Sequence, residues 1–525
     1  MILITSAAYI GPEFRSELGN IPPAFLPIGN QRLYKYQYES LQSTDKIVLT
    51  IPESFSIPKH DLKQLAQMSI EVLEIPEGLS LGESIVCALN LSGYSQGPLT
   101  ILHGDTLVFD IPDSQEDIIG VSEVEDNYEW ATFDGQQVAD FHPYEGSSEA
   151  NKQVVNGYFR FSDTRTLIQS FVRSRGSFLD GINLYMTKHP MATHLTPRWF
   201  DFGHLHTYFR SKTHVSTARS FNKLSIEDGI VTKLSDMPNK MAAESHWFQN
   251  IPSRLKRFTP NFLGEVAHEQ SIAGYQIEYQ CISSLNELYV FGDLPVFVWE
   301  KILKACGSFI TQCQTHPAPS QPEHSFKQFI LEKTDKRLKE FSGETGIPLD
   351  QPWQFNGYQL PSINEIHQRS AEHLTETAPS TITHGDFCFS NILYDFRAQS
   401  IKVIDPRGLD HDGKVSIFGF AHYDIAKLAH SIIGKYDFII AGYFDLKHSA
   451  QTIEFELFEP DQDLELHSHF EKLCEQQFGI KPIELCAMQI QLFLSMLPLH
   501  SDKPKRQLAL LANAMKLYQN LEQLS

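Results

Sequence analysis

The sequence predicts two domains of different fold class, an α/β domain followed by an α+β domain. A chain of 525 residues exceeds what one hydrophobic core usually supports, so we expect it to divide. Over residues 1–217 short apolar segments alternate with segments of helical periodicity, which is typical of a parallel sheet. From about residue 218 paired strands are followed by mainly helical sequence. We therefore predict domains at 1–217 and 218–525.

The elements of the first domain follow one another as strand, helix, strand. The predicted strands are ILITSAA (2–8), KIVLTIP (46–52), SIEVLEI (69–75) and LTILHGD, which ends at Asp105. The predicted helices are RLYKYQYESLQ (32–42), HDLKQLAQM (60–68) and GESIVCALNL (82–91). Ligands of such sheets gather at the carboxyl ends of the strands, and Asp105 lies at such an end.

The second domain opens with strands and continues with helices. FNKLSIEDGIVTKLSD (221–236) predicts two strands joined by a tight turn, and NKMAAESHWFQNI predicts a helix. YQIEYQCI and NELYVFG read as further strands, and a helix is expected near 296–313. After a Pro/Ser-rich loop at 315–325, we expect mostly helix, interrupted by one hairpin at 391–405.

The charge balance restricts the partners. The 43 Lys and Arg residues stand against 64 Asp and Glu residues, for a formal charge of −21. Nucleic-acid binding needs clustered basic residues, so we expect no nucleic-acid partner. Small phosphorylated ligands remain compatible with this charge, because carboxylates can hold them through divalent metals.

The cysteines and the apolar segments indicate the compartment. The seven cysteines are scattered and never spaced Cys-x-x-Cys, which favours reduced thiols over a disulfide framework or a zinc site. The N-terminal segment has no basic region typical of a signal peptide, and no apolar run approaches the length of a membrane span. We expect a cytoplasmic protein without a membrane span.

The segment THGDFCFSNILYDFRAQSIKVID contains a converging group of oxygen ligands. A hairpin centred near 397–398 places Asn391 beside Asp405, and Asp386 lies in the loop that leads into it. Phosphoryl transfer from ATP requires a carboxylate to orient the attacking hydroxyl, together with an amide and a carboxylate to hold Mg²⁺. The alternative is an Asx-rich turn beside a hairpin, with no chemical role.

These residues resemble the aminoglycoside phosphotransferase/choline kinase-like family, a branch of the protein-kinase-like fold. THGDFCFSNILYD is similar to its catalytic loop and IKVIDPRG to its metal-binding strand end. The resemblance covers roughly 219–525, with an N-lobe at about 218–292 and a C-lobe at about 293–525. It implies that Asp386 is the catalytic base, that Asn391 and Asp405 bind Mg²⁺, and that Asp424 supports the catalytic loop.

The resemblance extends into the N-lobe. It implies that Lys233 contacts the ATP phosphates and that Glu244 pairs with it. Lys240 competes for the first role, and an incidental surface pair is the alternative for both residues.

The nucleotide-binding details of the N-lobe are less regular. The turn between the first two strands contains a single glycine, Gly229, where a glycine-rich phosphate loop is expected. YQIEYQCI is expected to serve as the hinge to the adenine, with Glu278 and Tyr279 as its contacts.

The first domain offers a second pair of carboxylates. Asp105 ends a predicted strand, and Asp201 lies in RWFDFGHLHTYFRS. Two carboxylates on separate strand ends can share one Mg²⁺ on a nucleoside triphosphate, which aligns a sugar phosphate for in-line attack. The alternative is that each is a cap or loop residue.

Residues 1–215 resemble the sugar-phosphate nucleotidyltransferases, which have a Rossmann-like sheet. The matching segments are ILITSAAYIGPEFRSELG, PPAFLPIGNQRLYKYQ, LHGDTLV, NGYFRF and WFDFGHLHTYF, in that family's order. The resemblance implies Mg²⁺ binding by Asp105 and Asp201, triphosphate contact by Arg15, and a role for Gly82 and Ser84 beside the base.

The match departs from the family at its basic and glycine residues. The opening loop has one glycine, Gly11, where the family is glycine-rich. The expected signature lysine falls on Pro23 or Ala24, and a second expected Lys-Pro falls on His142-Pro143, so both lysines are absent. Basic groups at a triphosphate stabilise the transition state, so their loss should lower the rate. Arg32 or Lys35 would be the substitutes for the lost charge.

Together these features predict a bifunctional enzyme. Its second domain would use ATP to phosphorylate a small hydroxylated metabolite: a sugar, polyol or amino alcohol. Its first domain would couple the product to a nucleotide from CTP, UTP or GTP, giving an activated precursor of a surface polysaccharide, either capsule or lipopolysaccharide. One alternative is a kinase with a degenerate first domain that only binds ligand or holds a homo-oligomer together. The other is a non-catalytic nucleotide sensor.

Overall fold

A computed structural model of the chain describes residues 1–41, 45–112, 116–124, 130–140, 152–216, 222–268, 271–320, 322–410, 412–459 and 463–525. The chain divides into two compact units. The first comprises Met1–Ser216 with Phe291–Asp293, and the second comprises Thr217–Val290 with Leu294–Ser525.

The first unit contains the following elements. Its strands are β1 (Ile2–Thr5), β2 (Pro27–Ile28), β3 (Gln31–Arg32), β4 (Ile47–Pro52), β5 (Ile70–Ile75), β6 (Leu99–His103), β7 (Thr106–Val108), β8 (Ile118–Val124), β9 (Thr132–Phe133), β10 (Val138–Ala139), β11 (Lys152–Phe161), β12 (Ala192–Leu195) and β13 (Trp199–Asp201). Its helices are α1 (Pro12–Leu18), α2 (Leu33–Leu41), α3 (Lys59–Gln67), α4 (Leu81–Leu91), α5 (Thr164–Arg173), α6 (Phe178–Met186) and α7 (Leu205–Ser216).

The main sheet of the first unit has a parallel centre. Strands β6, β1, β4 and β5 are neighbours in that order, and all three pairings are parallel, which confirms the prediction from the strand–helix alternation. The antiparallel strand β11 then extends the sheet beyond β6. Successive residues of a strand point to opposite faces, and Leu3 belongs to one hydrophobic core whereas Ile2 and Ile4 belong to another. The sheet is therefore covered on both faces.

The second unit contains the following elements. Its strands are β14 (Asn222–Glu227), β15 (Ile230–Ser235), β16 (Phe262–His268), β17 (Ser271–Glu278), β18 (Pro352–Phe355), β19 (Tyr358–Ser362), β20 (Ser380–Ile382), β21 (Ile392–Asp395), β22 (Ser400–Val403), β23 (Phe418–Phe420), β24 (Phe444–Ser449) and β25 (Thr452–Leu457). Its helices are α8 (Pro238–Asn250), α9 (Ser253–Lys256), α10 (Leu285–Phe291), α11 (Val296–Gln314), α12 (Phe326–Thr345), α13 (Ile363–Ala371), α14 (Ala421–Ile432), α15 (Tyr436–Ala441), α16 (Asp463–Leu473), α17 (Pro482–Met496) and α18 (Pro504–Leu524).

The second unit begins with an antiparallel sheet in the order β14-β15-β17-β16. Helix α8 packs on it through Phe248, whose ring lies 5.6 Å from that of Tyr275 on β17. Further along the chain, β21 and β22 form the predicted hairpin, with Ile392 opposite Val403.

Two predictions for the second unit are wrong. NELYVFG is not a strand but most of helix α10, because Leu285, Leu288 and Phe291 are buried together with their neighbours and a wholly buried apolar run does not reveal its period. The later sequence also holds further hairpins, β18–β19 and β24–β25, which join in one four-stranded sheet. In addition, β20 pairs with the distant strand β23.

One helical segment in the described part of the chain, Pro482–His500, is long and apolar enough to cross a bilayer by length and composition. Within the structure 78% of its apolar window is buried, and it packs against α12, α13 and α18. Those contacts give its apolar side chains protein partners, as in the core helix of a helical bundle.

Candidate active sites

Strand β15 and helix α8 bring Lys233 and Glu244 together. The Lys233 Nζ lies 2.6 Å from Glu244 Oε2, and the two residues are only 3% and 2% exposed. The pair is therefore not the incidental surface pair that the sequence allowed. Lys240 also faces Glu244, at 3.8 Å, but its side chain is 45% exposed.

Asp405 joins this ion pair. Its Oδ1 lies 3.0 Å from Lys233 Nζ, and the Tyr275 hydroxyl, which donates to Glu244 Oε2 at 2.8 Å, is 3.5 Å from the same Asp405 oxygen. Burial acts to lower the pKa of Lys233, but the charges of Asp405 and Glu244 more than offset it and raise that pKa. Lys233 is therefore a fixed cation against the Asp405 carboxylate.

The loop before Asp386 is held by a buried carboxylate. Asp424, on α14, accepts the backbone N–H groups of His384 at 2.7 Å and Gly385 at 2.8 Å. Gly385 has a φ of +76°, a conformation that favours glycine. The Trp247 indole donates to the Thr383 carbonyl at 2.7 Å and so ties helix α8 to the same loop. Asp424 therefore holds the backbone of this loop, and its role in a catalytic loop stays a prediction.

Asp386 is oriented by two donors. Lys427 Nζ lies 2.8 Å from its Oδ1, and the Asn391 amide donates to its Oδ2 at 3.0 Å. Burial alone would raise the pKa of Asp386, but the charge of Lys427 outweighs it and lowers the pKa to about 2. Because its side chain is 41% exposed, the carboxylate is a fixed anion that a ligand can reach.

Asn391 and Asp405 lie at the same end of the β21–β22 hairpin, as predicted. The Ile404 N–H donates to the Asn391 carbonyl at 3.0 Å, so Asp405 follows directly beside Asn391. The described residues contain no group of three or more His, Cys, Asp or Glu side chains that could hold a metal ion. An amide and a carboxylate fit Mg²⁺, which is bound by one or two protein oxygens together with substrate phosphates.

Sequence reasoning missed two members of this site. Lys427 lies three residues after Asp424 in HYDIAKL, and residues spaced i,i+3 share a helix face, so this spacing was the available signal. Tyr275 lies directly opposite Lys233 across the β15–β17 pairing, which the sequence alone does not specify.

The predicted adenine contacts are engaged within the sheet. The Tyr279 N–H donates to the Gly229 carbonyl at 2.7 Å, and the Glu278 N–H donates to the Asn261 carbonyl at 2.9 Å. The Glu278 carboxylate also accepts the Asn261 amide at 3.0 Å. A role of Glu278 and Tyr279 at the adenine stays a prediction.

In the first unit, β7 and β13 bring Asp105 and Asp201 together. Asp201 lies opposite Thr106 in this antiparallel pair, and the Phe202 N–H donates to the Asp105 carbonyl at 2.8 Å. A Cβ atom on Gly203 would lie 2.7 Å from Asp105 Oδ2 and 3.2 Å from Asp201 Oδ1. The two carboxylates therefore border one small space that the glycine keeps open.

Asp201 is hydrogen-bonded to its neighbours, whereas the pKa of Asp105 is raised. Asp201 Oδ2 accepts the Thr207 hydroxyl at 2.5 Å and lies 3.1 Å from His204 Nδ1. Burial, reinforced by the charge of Asp201, raises the pKa of Asp105 to about 6. Repulsion of this kind is relieved by a cation, so the pair fits a divalent metal ion.

The other predicted site residues of the first unit, Arg15, Gly82 and Ser84, lie on helices α1 and α4. Arg15 is exposed on α1. A Cβ on Gly82 would lie 2.5 Å from the Gly176 carbonyl oxygen, so close packing requires this glycine. The Ser84 hydroxyl donates to the Leu81 carbonyl within α4. The triphosphate role of Arg15 and the base-side role of Gly82 and Ser84 stay predictions.

Arg32 does not replace a missing lysine. It is 3% exposed, pairs with Asp61 at 3.3 Å, and donates to the Phe25 carbonyl at 2.9 Å, so it is a core residue. Ala24, at a position where the family lysine was expected, is fully buried. Lys35, the other suggested substitute for the lost charge, has a pKa that burial lowers.

The other expected Lys-Pro position, His142-Pro143, lies outside the described residues.

No protein-family model matches the chain, and no curated protein matches it. Among solved structures, the chain is similar to a nucleoside-diphosphate-sugar pyrophosphorylase from Vibrio cholerae RC9, with 15% identity over 40% of this chain and 99% of that chain and a TM-score of 0.34. It is also similar to a UTP-bound UGPase from Acinetobacter baumannii, with 17% identity over 41% of this chain and 92% of that chain and a TM-score of 0.32. A UDP-glucose pyrophosphorylase complexed with UDP-glucose gives 15% identity over 41% and 97%, with a TM-score of 0.32.

Proposed function

We propose that the second unit is an ATP-dependent phosphotransferase that acts on a hydroxyl group of a small metabolite. Two groups of polar side chains at the end of the β21–β22 hairpin support this proposal. In one group the Asn391 amide donates to Asp386, and in the other Lys233 pairs with Asp405 and Glu244. The Ile404 N–H donates to the Asn391 carbonyl, which places Asp405 beside Asn391. Phosphoryl transfer needs these parts: a carboxylate for the acceptor, oxygens for Mg²⁺, and a Lys–Glu pair for the phosphates.

In the proposed reaction the acceptor oxygen forms a bond to the γ-phosphorus of ATP while the bond to the β–γ bridging oxygen breaks, releasing ADP. Asp386 accepts the hydrogen bond and then the proton of the attacking hydroxyl. Mg²⁺, when bound, neutralises charge on the phosphates. Asn391 and Asp405 would hold it, and Lys233 would contact the phosphates.

The low pKa of Asp386 determines its charge and its strength as a base. A carboxyl group with a pKa of about 2 is ionised at any physiological pH, so it is always ready to accept a hydrogen bond. It is a weak base, and proton transfer to it must follow the development of the new bond, as expected for a loose transition state. Lys427 and Asn391 fix the carboxylate in the orientation that selects the attacking hydroxyl.

We propose nucleotidyl transfer for the first unit. Asp105 and Asp201 would share one Mg²⁺ on a nucleoside triphosphate, CTP, UTP or GTP, and a sugar phosphate or related phosphate would attack its α-phosphorus with release of pyrophosphate. The kinase product would be the substrate of this step. The sequence of reactions would supply an activated precursor for a surface polysaccharide, a cytoplasmic process.

A degenerate first unit is the second candidate. The burial of Ala24 and the pairing of Arg32 with Asp61 leave two positions without the cationic group that a triphosphate needs. In this case the first unit would bind ligand only. The non-catalytic sensor is disfavoured by Asp386, because a nucleotide-binding module has no need of a base.

One experiment separates the three functions. The full chain is incubated with ATP, CTP, UTP, GTP, Mg²⁺ and a pooled library of sugars, polyols and amino alcohols, and the products are identified by mass spectrometry. Phosphorylated and nucleotidylated products support both activities. Phosphorylated products alone support the kinase with a degenerate first unit, and no product of either kind supports the sensor.

Nucleoside triphosphate with Mg²⁺ is expected to stabilise the first unit. A ligand that binds only the folded state adds about 2.7 kcal/mol to the free energy of unfolding when its free concentration is about 100 times its Kd. The test measures the Tm of the full chain carrying Asp405→Ala, which removes a metal ligand of the other nucleotide site. Adding Asp105→Asn or Asp201→Asn should weaken the response, whereas Asp180→Asn, at an exposed position on α6, should not. Absence of a Mg²⁺-dependent shift with every nucleotide would identify the unit as a relic.

The rise in Tm caused by nucleoside triphosphate with Mg²⁺ should depend on pH. The pKa of Asp105 is raised from 3.8 to about 6, so between these values the folded protein keeps a proton that the unfolded chain has lost. The free energy of unfolding of the free protein therefore falls as pH rises through this window. Metal binding requires the ionised pair, so the ligand-induced rise in Tm should grow with pH and level off above about 6. A shift that is constant from pH 5 to pH 8 would contradict this.

A further inference from the structure

Three cationic side chains lie against the loop that contains Asp386 or on helix α14 and its neighbour α12, and the transfer chemistry accounts for only one of them. Lys427 pairs with the Asp386 carboxylate at 2.8 Å. Lys333, on α12, donates to the hydroxyl of Tyr423 at 2.5 Å, and Arg407 follows the hairpin that ends at Asp405. We call Lys333, Arg407, Lys427 and Tyr423 the basic cluster.

Arg407 lies directly against the residue before Asp386. Its N–H donates to the His384 carbonyl at 2.8 Å. A Cβ on Gly385 would lie 2.7 Å from the Arg407 Cβ and 3.4 Å from its Cδ, so the arginine side chain runs along this glycine. The guanidinium group of Arg407 has no hydrogen bond or ion pair with any described residue.

Helix α14 connects the other members of the basic cluster. Tyr423 and Lys427 are spaced i,i+4 and so share one face of this helix. The Lys333 ammonium lies 4.7 Å from the centre of the Tyr423 ring. Burial acts to raise the pKa of Tyr423, but the charges of Lys333, Lys427 and Arg407 lower it to about 8. The charges of all three cations therefore act on Tyr423.

The anions nearby do not balance these cations. Asp386 is paired with Lys427, and Asp424 is committed to two backbone N–H groups and has a pKa raised by burial to about 7. Lys333 has no carboxylate within ion-pair distance in the part of the chain that the structure describes. In a chain with a formal charge of −21, two half-buried cations without counter-ions at a reaction centre indicate an anionic ligand.

We propose that the phosphoryl acceptor carries a carboxylate or phosphate group as well as the hydroxyl that reacts, and that Arg407 and Lys333 bind this anion. The inference rests on the proposed phosphotransferase function and narrows its substrate class. Arg407 and Lys333 would position the acceptor so that its hydroxyl meets Asp386. The hydroxyl oxygen then bonds to the γ-phosphorus, its proton passes to Asp386, and ADP leaves. Amino alcohols are disfavoured, because their cation would face the basic cluster.

Matched acceptors test the charge preference. Sorbitol, gluconate, glucitol 6-phosphate and choline are supplied separately to the full chain with Mg²⁺ and ATP, and ADP release gives kcat and KM for each. Loss of a charged hydrogen bond is worth roughly ten- to hundredfold, so kcat/KM for an anionic acceptor should exceed that for sorbitol and choline by about this factor. Gluconate and glucitol 6-phosphate distinguish a carboxylate site from a phosphate site.

Variants test whether Arg407 and Lys333 cause the preference for an anionic acceptor. Arg407→Gln and Lys333→Gln should each raise the KM for the anionic acceptor roughly tenfold or more, with no matching rise in the KM for ATP. Arg407→Lys, which keeps the charge, should retain most of the preference. Lys447→Gln is the control, because its side chain is 85% exposed and pairs with Glu454 on the neighbouring strand.

Three results would overturn the proposal. Equal use of neutral and anionic acceptors would overturn the inference and leave the kinase function standing. So would variants that raise the KM for ATP alone, because the cations would then serve the nucleotide. Absence of ADP release with every acceptor would overturn the proposed function itself.

Discussion

Asp386→Asn is expected to abolish phosphorylation of the acceptor while leaving ATP binding nearly intact. The amide keeps the shape of the side chain but cannot take the proton of the attacking hydroxyl. Losing a general base typically lowers the rate 10²–10⁴-fold. The partners of Asp386 are Lys427 and Asn391, which reach neither Lys233 nor Glu244, so the proposed phosphate contacts should persist. Single-turnover transfer from labelled ATP, together with calorimetry of ATP binding, measures both effects.

The control for this variant is Asp502→Asn. Asp502 is exposed before helix α18 and should give wild-type turnover. If Asp386→Asn also kept wild-type turnover on the true acceptor, Asp386 would not be the base.

Asp405→Ala is expected to reduce both Mg²⁺-dependent ATP affinity and turnover. The variant removes a proposed metal ligand and one of the two carboxylates that hold Lys233. Even an outer-sphere partner of a metal ligand is worth about 10–100-fold in metal affinity, so losing the ligand should cost at least that. Calorimetric titration of ATP with and without Mg²⁺ shows the effect as loss of the difference between the two titrations.

Asp395→Ala is the matched control for that titration. Asp395 ends strand β21 at the other end of the same hairpin, where its carboxylate accepts the Arg397 and Ala398 N–H groups. Its loss affects the turn and not the site. An unchanged titration for Asp405→Ala would remove Asp405 from the metal site.

Features set by local pattern were predictable from the sequence. The parallel centre of the first sheet follows from apolar segments that alternate with helices, and Asp105 stands at a strand end for that reason. The hairpin that joins Asn391 to Asp405 follows from two apolar strands around a polar turn. The Lys233–Glu244 pair came from resemblance to a family, since a strand and the helix after it need not meet at those positions.

Features set by contacts between distant segments were not predictable. Tyr275 donates to Glu244, the partner of Lys233, because strand β17 pairs with β15. Sequence spacing does not fix that pairing. Arg407 packs against the loop before Asp386 at Gly385, whose φ is +76°. Arg32 has the charge to replace a missing lysine, yet burial against Asp61 removes it from consideration.

The tripeptide His-Gly-Asp occurs twice in the sequence, at 103–105 and at 384–386, and the two copies have different neighbours. At 103–105 its glycine packs against the Thr5 carbonyl, where a Cβ would lie 2.6 Å from the oxygen, and the aspartate borders a second carboxylate. At 384–386 its glycine packs against Arg407, and the aspartate faces a lysine. The same three residues thus give one aspartate a pKa of about 6 and the other a pKa of about 2, because the neighbours differ.

We propose that one chain transfers a phosphoryl group to a small acceptor and then couples the product to a nucleotide. The most direct measurement follows ATP labelled with ¹⁸O in its γ-phosphate, incubated with the full chain, Mg²⁺, unlabelled CTP, UTP and GTP, and the acceptor library. Mass spectrometry should find the label first in a phosphorylated acceptor and later in a nucleotide conjugate, with release of pyrophosphate. Label found only in unreacted ATP or in inorganic phosphate would contradict this sequence of reactions.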